Sequence, residues 1–157
     1  EVIADVNATV NHIQHLPGVQ VEKIGITGFC MGGRVTYLMA GSNPLFKAAG
    51  VFYGGNILVP WGDGPSPFDL TRQIACPVVG FFGLDDANPS PADVKKISAE
   101  MDKFKKPHEF HSYAGAGHAF LNFLNPNTYR AEPAADAWGK LLGFLDKHLK
   151  ARVGARA

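Results

Sequence analysis

The chain has 157 residues, 46% of them apolar and 18% charged, with 15 Lys and Arg against 14 Asp and Glu. One domain of this size builds its own core without a disulfide framework, and the near-neutral balance excludes both a basic nucleic-acid footprint and charge-driven disorder. Gly (18) and Pro (11) are spread along the chain at turns, the composition of a loop-rich globular domain.

Val2, Ile3, Val6, Val10, Ile13 and Leu16 recur at helical spacing, and Pro17-Gly18 ends that amphipathic helix. Residues 22–27 predict a short strand that Gly28 breaks, and residues 33–40 a helix closed by Gly41. Residues 48–53 predict a second strand, stopped by Gly54-Gly55. A Pro- and Gly-rich loop follows over residues 56–74, where Trp61 and Phe68 either cover a pocket or pack the loop down. Residues 77–82 are nearly all apolar, which suits a central strand covered on both faces. Ser90-Pro91-Ala92-Asp93 is a helix start, with Ser as N-cap, Pro at the first helical position and an acid at the third. Val94, Ile97, Met101 and Phe104 form the apolar face of that helix. Residues 108–113 predict a fourth strand, followed by the turn Gly115-Ala116-Gly117. From about Pro133, Ala134, Trp138, Leu141, Leu142, Leu145 and Leu149 mark a long closing helix. Residues 151–157 are expected to be a disordered tail. Strands alternating with helices predict an α/β domain with a mainly parallel sheet and helices on both faces.

No apolar run approaches the ~18 residues that span a bilayer, so no membrane partner is expected. Glu1-Val2-Ile3-Ala4-Asp5 carries no basic n-region of a signal peptide. It also lacks an initiator Met, so upstream sequence is expected. Two cysteines, Cys30 and Cys76, are too few for a disulfide scaffold, and a reduced, cytoplasmic setting is the expectation.

The sharpest chemical signal is Gly28-Phe29-Cys30-Met31-Gly32-Gly33. It has the form of the nucleophile elbow G-x-S-x-G with Cys in place of Ser, between a predicted strand and a predicted helix. The nucleophile of an elbow sits on a tight turn, where side chains at Gly28 and Gly32 are expected to collide with neighbouring backbone. The helix N-terminus is expected to favour thiolate, and a catalytic Cys30 should titrate well below ~8.5 when the site is complete. The backbone N–H of Met31 supplies one oxyanion donor. An elbow nucleophile needs an acid and then a histidine later in the chain. Asp85 and Asp86 follow the third strand, and His118 follows the fourth; either aspartate suits the acid role. Both loops lie at carboxyl ends of strands, where open α/β sheets build their sites. His118 then takes the thiol proton and returns it to the leaving group, and the Asp orients the imidazole. A lone cysteine after a strand is ordinarily a small core residue. The flanking glycines and the ordered acid and histidine set Cys30 apart from Cys76, which reads as structural.

Other positions carry less. Tyr53, ending the second strand, either lines the pocket or caps the core; Phe29 and Phe120 are further substrate-binding candidates. His12 and His15 share a helix face with no Cys, Asp or Glu to complete a metal set. His108 and His111 fall on opposite faces of their strand. Gly54-Gly55 lacks the Lys-Ser/Thr of a phosphate loop. No metal or organic cofactor is called for.

With those residues in place, the chain resembles the dienelactone hydrolase (carboxymethylenebutenolidase) family of the α/β-hydrolase superfamily. The matching pieces are Gly25 through Gly33, Phe52-Tyr53-Gly54-Gly55, Cys76 through Asp86, and Tyr113 through Phe120. Residues 125–149, with Tyr129, Ala135, Trp138 and Leu145, resemble the family's last helix. The resemblance covers almost the whole chain and implies one α/β-hydrolase domain over residues 1–150. It selects Asp86, three residues after Gly83, as the acid. It also implies that the family's N-terminal portion is absent, with its first strands, the second oxyanion donor and an acidic residue that helps activate the cysteine. The best-known members bind a substrate carboxylate with an Arg shortly after the histidine. Here His118-Ala119-Phe120-Leu121-Asn122 has none, and Arg34 and Arg130 are the nearest basic candidates. The implied function is hydrolysis of a small ester or lactone through an acyl-enzyme on a Cys30–His118–Asp86 triad. Thioesterase or acyltransferase action would use the same residues; an inactive fragment or binding domain that retains the motif is the different class. Absent first strands would leave an apolar sheet edge, which pairs with an upstream segment, a second copy or a partner.

Overall fold

Four short runs pair in chain order as one parallel sheet: Ile26–Phe29 (β1), Ala49–Phe52 (β2), Val78–Gly83 (β3) and His108–Tyr113 (β4). The computed structural model describes residues 1–150, and the expected tail at 151–157 lies outside them. The helices are Val2–Ile13 (α1), Met31–Ser42 (α2), Pro91–Lys103 (α3) and Ala131–Leu145 (α4), the last continuing into a π-helical turn at Asp146–Lys150.

The period-two alternation of the strands builds two separate cores. Ala49, Val51, Val78 and Phe82 point to the face covered by Val10 of α1, Tyr37 and Met39 of α2, and Ile97 and Met101 of α3. Phe52, Val79 and Phe81 point to the other face, covered by Ala137, Leu141 and Phe144 of α4. The expected parallel sheet with helices on both faces is therefore what forms. β3, read as a central strand, lies between β2 and β4 and is buried at every position. The capping box expected at Ser90 is made: its hydroxyl accepts from the Asp93 N–H at 3.1 Å, and the Asp93 carboxylate accepts from the Ser90 N–H at 3.0 Å. In the loop over residues 56–74, Phe68 packs against the first core and Trp61 lies over the Arg34 guanidinium, so these aromatics pack the loop down.

The bounds of β1, α2 and α4 differ from expectation. The first strand is not residues 22–27: Val21–Lys23 is a 3₁₀ turn, and the strand runs through Gly28, which pairs with Val51, to Phe29. Helix α2 starts at Met31 because Cys30 itself caps it, and it runs past Gly41. There a Cβ would stand 2.9 Å from the Leu70 carbonyl oxygen, so Gly41 is a packing glycine and not a stop. Helix α4 starts at Ala131, with Pro133 in the first turn, where a missing N–H costs nothing.

The parallel register brings the C-terminal ends of all four strands to one rim. Phe81 anchors the strand that carries the acid loop, stacked on Phe52 at 4.6 Å and on His111 at 5.6 Å. Phe81→Ala is expected to cost about 3–5 kcal/mol in urea unfolding, the usual range for emptying a buried phenyl site.

Candidate active site

Residues 28–33 turn the chain from β1 into α2 with Cys30 at the corner. Its backbone is at φ 54° and ψ −119°, in the left-handed half of conformational space that non-glycine residues avoid. The conformation is held by the Cys30 N–H donating to the Phe52 carbonyl at 3.1 Å and the Arg34 N–H donating to the Cys30 carbonyl at 3.2 Å. Close backbone approach makes the turn possible. A Cβ on Gly28 would stand 2.3 Å from the Gly32 carbonyl oxygen, and one on Gly33 would stand 2.5 Å from that of Phe52. Gly32, expected to be sterically required, has open space around its own Cβ position. The tight pair is Gly28 and Gly33. As the first residue of α2, Met31 has no carbonyl a turn back for its N–H, while its side chain is exposed.

The acid and the histidine come from two loops clamped backbone to backbone. The Leu84 N–H donates to the Tyr113 carbonyl at 2.9 Å, and the Asp85 N–H to that of Ala116 at 3.0 Å. A Cβ on Gly83 would stand 2.2 Å from the Ala116 oxygen, so glycine is what lets the loops touch. The outcome is a hydrogen bond of 2.9 Å between Asp86 Oδ2 and His118 Nδ1. Asp86 Oδ1 accepts from the Asn88 N–H at 2.9 Å, so both carboxylate oxygens are engaged. Asp86 is buried and Asp85 is exposed, and only Asp86 meets the imidazole. The Asp86 contact leaves Nε2 of His118 to carry a proton. Among the described residues no hydrogen bond joins Cys30 to His118, so the acid–histidine pair is made without a hydrogen bond to the thiol.

Arg130 is a positioning residue that the sequence did not reveal. Its Nε donates to the Gly115 carbonyl at 2.9 Å, and one guanidinium nitrogen donates to those of Asn127 at 3.0 Å and Tyr129 at 2.9 Å. Its backbone N–H donates to Phe120 at 3.0 Å. Arg130 therefore ties the histidine loop to the start of α4. Arg34 is held differently: it is buried under Trp61 and one terminal nitrogen donates to the Val59 carbonyl at 2.6 Å, while its buried Nε has no partner among the described residues. Neither arginine lines the cleft beside Cys30.

That cleft has a volume of about 680 Å³. Phe29 and Cys30 line it from the elbow, Tyr53 from the end of β2, and Trp138 from α4. Tyr53 belongs to both readings: its ring is buried, yet it stands on the cleft wall with its centroid 5.3 Å from that of the His118 ring, edge to face. Phe120 is fully buried behind Tyr53, at 5.3 Å between ring centroids, and does not reach the cleft. It is a support and not a contact residue, because the tight turn at Ala119 (φ 60°) sends it inward. Trp138 and Tyr129 were visible only as members of a helix pattern. The signal available was a tryptophan one turn after the small pair Ala134-Ala135.

The electrostatics also correct an expectation. Burial first, and then the Asp86 carboxylate, push the Cys30 thiol above its ordinary value of 9.0, against the pull of the helix N-terminus. Cys76 is pushed up further, to about 11, by deeper burial. A resting thiol of this kind needs a base to deprotonate it.

A family model described as the dienelactone hydrolase family matches residues 1–149. A Synechocystis sp. protein named "Putative carboxymethylenebutenolidase" is 38% identical over 152 residues, covering 96% of this chain and 61% of the relative. A Bradyrhizobium sp. protein named "Probable 2-oxo-3-(5-oxofuran-2-ylidene)propanoate lactonase" is 32% identical over 152 residues, covering 95% of this chain and 60% of the relative. The solved structure of a "Putative Dienelactone Hydrolase" from Klebsiella pneumoniae superposes with a TM-score of 0.84 at 30% identity, covering 92% of this chain and 60% of that one. The chain thus spans about three-fifths of the length of these relatives.

Because its thiol is raised, Cys30 is expected to alkylate with iodoacetamide at a rate that climbs about tenfold per pH unit to pH 9 and beyond. Cys76 should react more slowly at every pH in the folded protein. A rate that levels off below pH 8, followed by mass spectrometry, would show a depressed thiol instead.

Proposed function

The chain belongs to the dienelactone hydrolase family, and from that premise we infer that it hydrolyses a small ester or lactone through an acyl-enzyme on Cys30. The observation that carries the reading is the 2.9 Å Asp86–His118 hydrogen bond, made on loops at the same rim as the strained Cys30 corner. The sheet with helices on both faces is the α/β-hydrolase fold, which places nucleophile, acid and histidine in this chain order.

Each residue then has a chemical task. His118 Nε2 takes the Cys30 proton as Sγ attacks the carbonyl carbon, so the raised thiol is deprotonated as it reacts. Asp86 holds the imidazole tautomer through Nδ1 and stabilises the imidazolium. The Met31 N–H at the head of α2 donates to the developing oxyanion, whose charge the helix N-terminus also favours. Collapse of that intermediate breaks the carbon–oxygen bond, and His118 returns the proton to the departing alkoxide. In a lactone the alcohol stays tethered to the acyl group. Water then adds to the thioester carbonyl, giving its proton to His118. The carbon–sulfur bond breaks, the acid leaves and the thiol is re-protonated. The protein residues accomplish every step without a metal or organic cofactor.

Thioesters and other acyl acceptors would be handled by the same groups. The edge of β1 is where a further strand, from an upstream segment or a second copy, would add to the sheet. Both cysteines are free thiols, which supports a reducing, cytoplasmic location.

The test is hydrolysis of p-nitrophenyl acetate. Cys30→Ala is expected to lower kcat/KM by about 10⁴-fold or more, His118→Ala similarly, and Asp86→Asn by about 10²–10⁴-fold. Hydrolysis by Cys30→Ala at the rate of the unsubstituted chain would refute the thiol mechanism.

A further inference from the structure

The cleft beside Cys30 is walled by apolar and neutral groups only. Among the described residues no Asp, Glu, Lys, Arg or His lines it. Its polar side chains besides Cys30 are Tyr53, Asn122 and Tyr129. One of these already has a partner: Asn122 Oδ1 accepts from the Leu124 N–H at 3.2 Å. The nearest arginines stand outside this lining: Arg34 is buried beneath Trp61 with one terminal nitrogen on the Val59 carbonyl, and Arg130 donates to Gly115, Asn127 and Tyr129.

Against this lack of charge stands bare aromatic surface. Phe29, Phe123 and Trp138 all line the cleft, and they remain 41%, 74% and 46% exposed. Three large apolar side chains left open around one reactive group mark a binding surface. Ala134 and Ala135 leave room beside Trp138, on the same face of α4. A carboxylate placed here would lose its hydration and meet no cation, whereas an apolar group would cover these rings.

We propose that the cleft binds an uncharged apolar part of the substrate, an aromatic or branched aliphatic group of the ester, and selects against esters and lactones that carry a carboxylate. Trp138 is the specificity-determining residue. The proposal rests on the hydrolase reading only for the placement of the reacting carbonyl at Cys30.

Two esters of nearly equal shape test it, p-tolyl acetate and 4-acetoxybenzoate, which differ by a methyl group against a carboxylate. Their affinities are measured by calorimetric titration into the 157-residue chain carrying Cys30→Ala, which removes the nucleophile and so separates binding from turnover. p-Tolyl acetate is expected to bind at least about tenfold more tightly. Adding Trp138→Ala should weaken p-tolyl acetate by about tenfold and leave 4-acetoxybenzoate unchanged. Phe123→Ala, on the exposed rim, should act in the same direction and stands in if the Trp138 variant does not fold. Equal or tighter binding of 4-acetoxybenzoate overturns the proposal. So does binding of neither ester, or p-tolyl acetate affinity that both aromatic substitutions leave unchanged. The chain with Cys30 intact separates the two readings. If it binds p-tolyl acetate with this preference but does not hydrolyse it, the catalytic reading fails and this one stands. If it hydrolyses both esters with equal kcat/KM, the selectivity fails and the catalytic reading stands.

Discussion

A cysteine held at positive φ is the constraint around which the rest of the site is arranged. Such a backbone costs on the order of 1–3 kcal/mol and persists only where its surroundings over-determine it. Here the surroundings are a carbonyl from the neighbouring strand, a helix that starts at the next residue, and two glycines whose missing side chains let backbone meet backbone. The corner puts Cys30 on the cleft wall and makes Met31 the first residue of α2. The neighbouring strand repeats the device. Tyr53, at φ 36°, leaves β2 just where Cys30 leaves β1, and its ring packs near both Phe29 of the elbow and His118.

The acid and histidine obey the same logic of close approach. Gly83 has no side chain, so the loops after β3 and β4 touch, and that contact sets the Asp86–His118 distance. Arg130 then fixes the outer side of the histidine loop through three backbone carbonyls. An arginine used in this way is unavailable as a substrate anchor. One structural commitment therefore shapes both the stability of the loop and the chemistry of the cleft. The Asp86 carboxylate that orients His118 is also one of the groups that disfavours the resting thiolate.

The order of elements, the parallel sheet and the Cys–Asp–His sequence were legible because each rests on local pattern. Alternating strand and helix segments, a capping box at Ser90 and glycines around Cys30 are short-range signals that tertiary contacts reinforce. Gly28 read as a break and Gly41 as a stop because glycine punctuates local structure, yet Gly28 stays in β1 and makes room for the Gly32 backbone, and Gly41 makes room for the distant Leu70. Phe120 read as a contact residue because it follows the histidine, and the turn at Ala119 sends it into the core.

The order of residue types along the chain was enough to give the layer architecture and to single out Cys30, His118 and the Asp85-Asp86 pair as candidates. These depend on residue type, order and spacing along one chain. Only the tertiary structure decided which aspartate meets His118, which way the Cys30 thiol is shifted, and what lines the cleft. Each of these is a property of groups brought together from four strand ends and a distant helix. Burial and Coulomb interaction act through space, so the sign of the Cys30 shift appears only once Asp86 and the cleft walls are assembled around it.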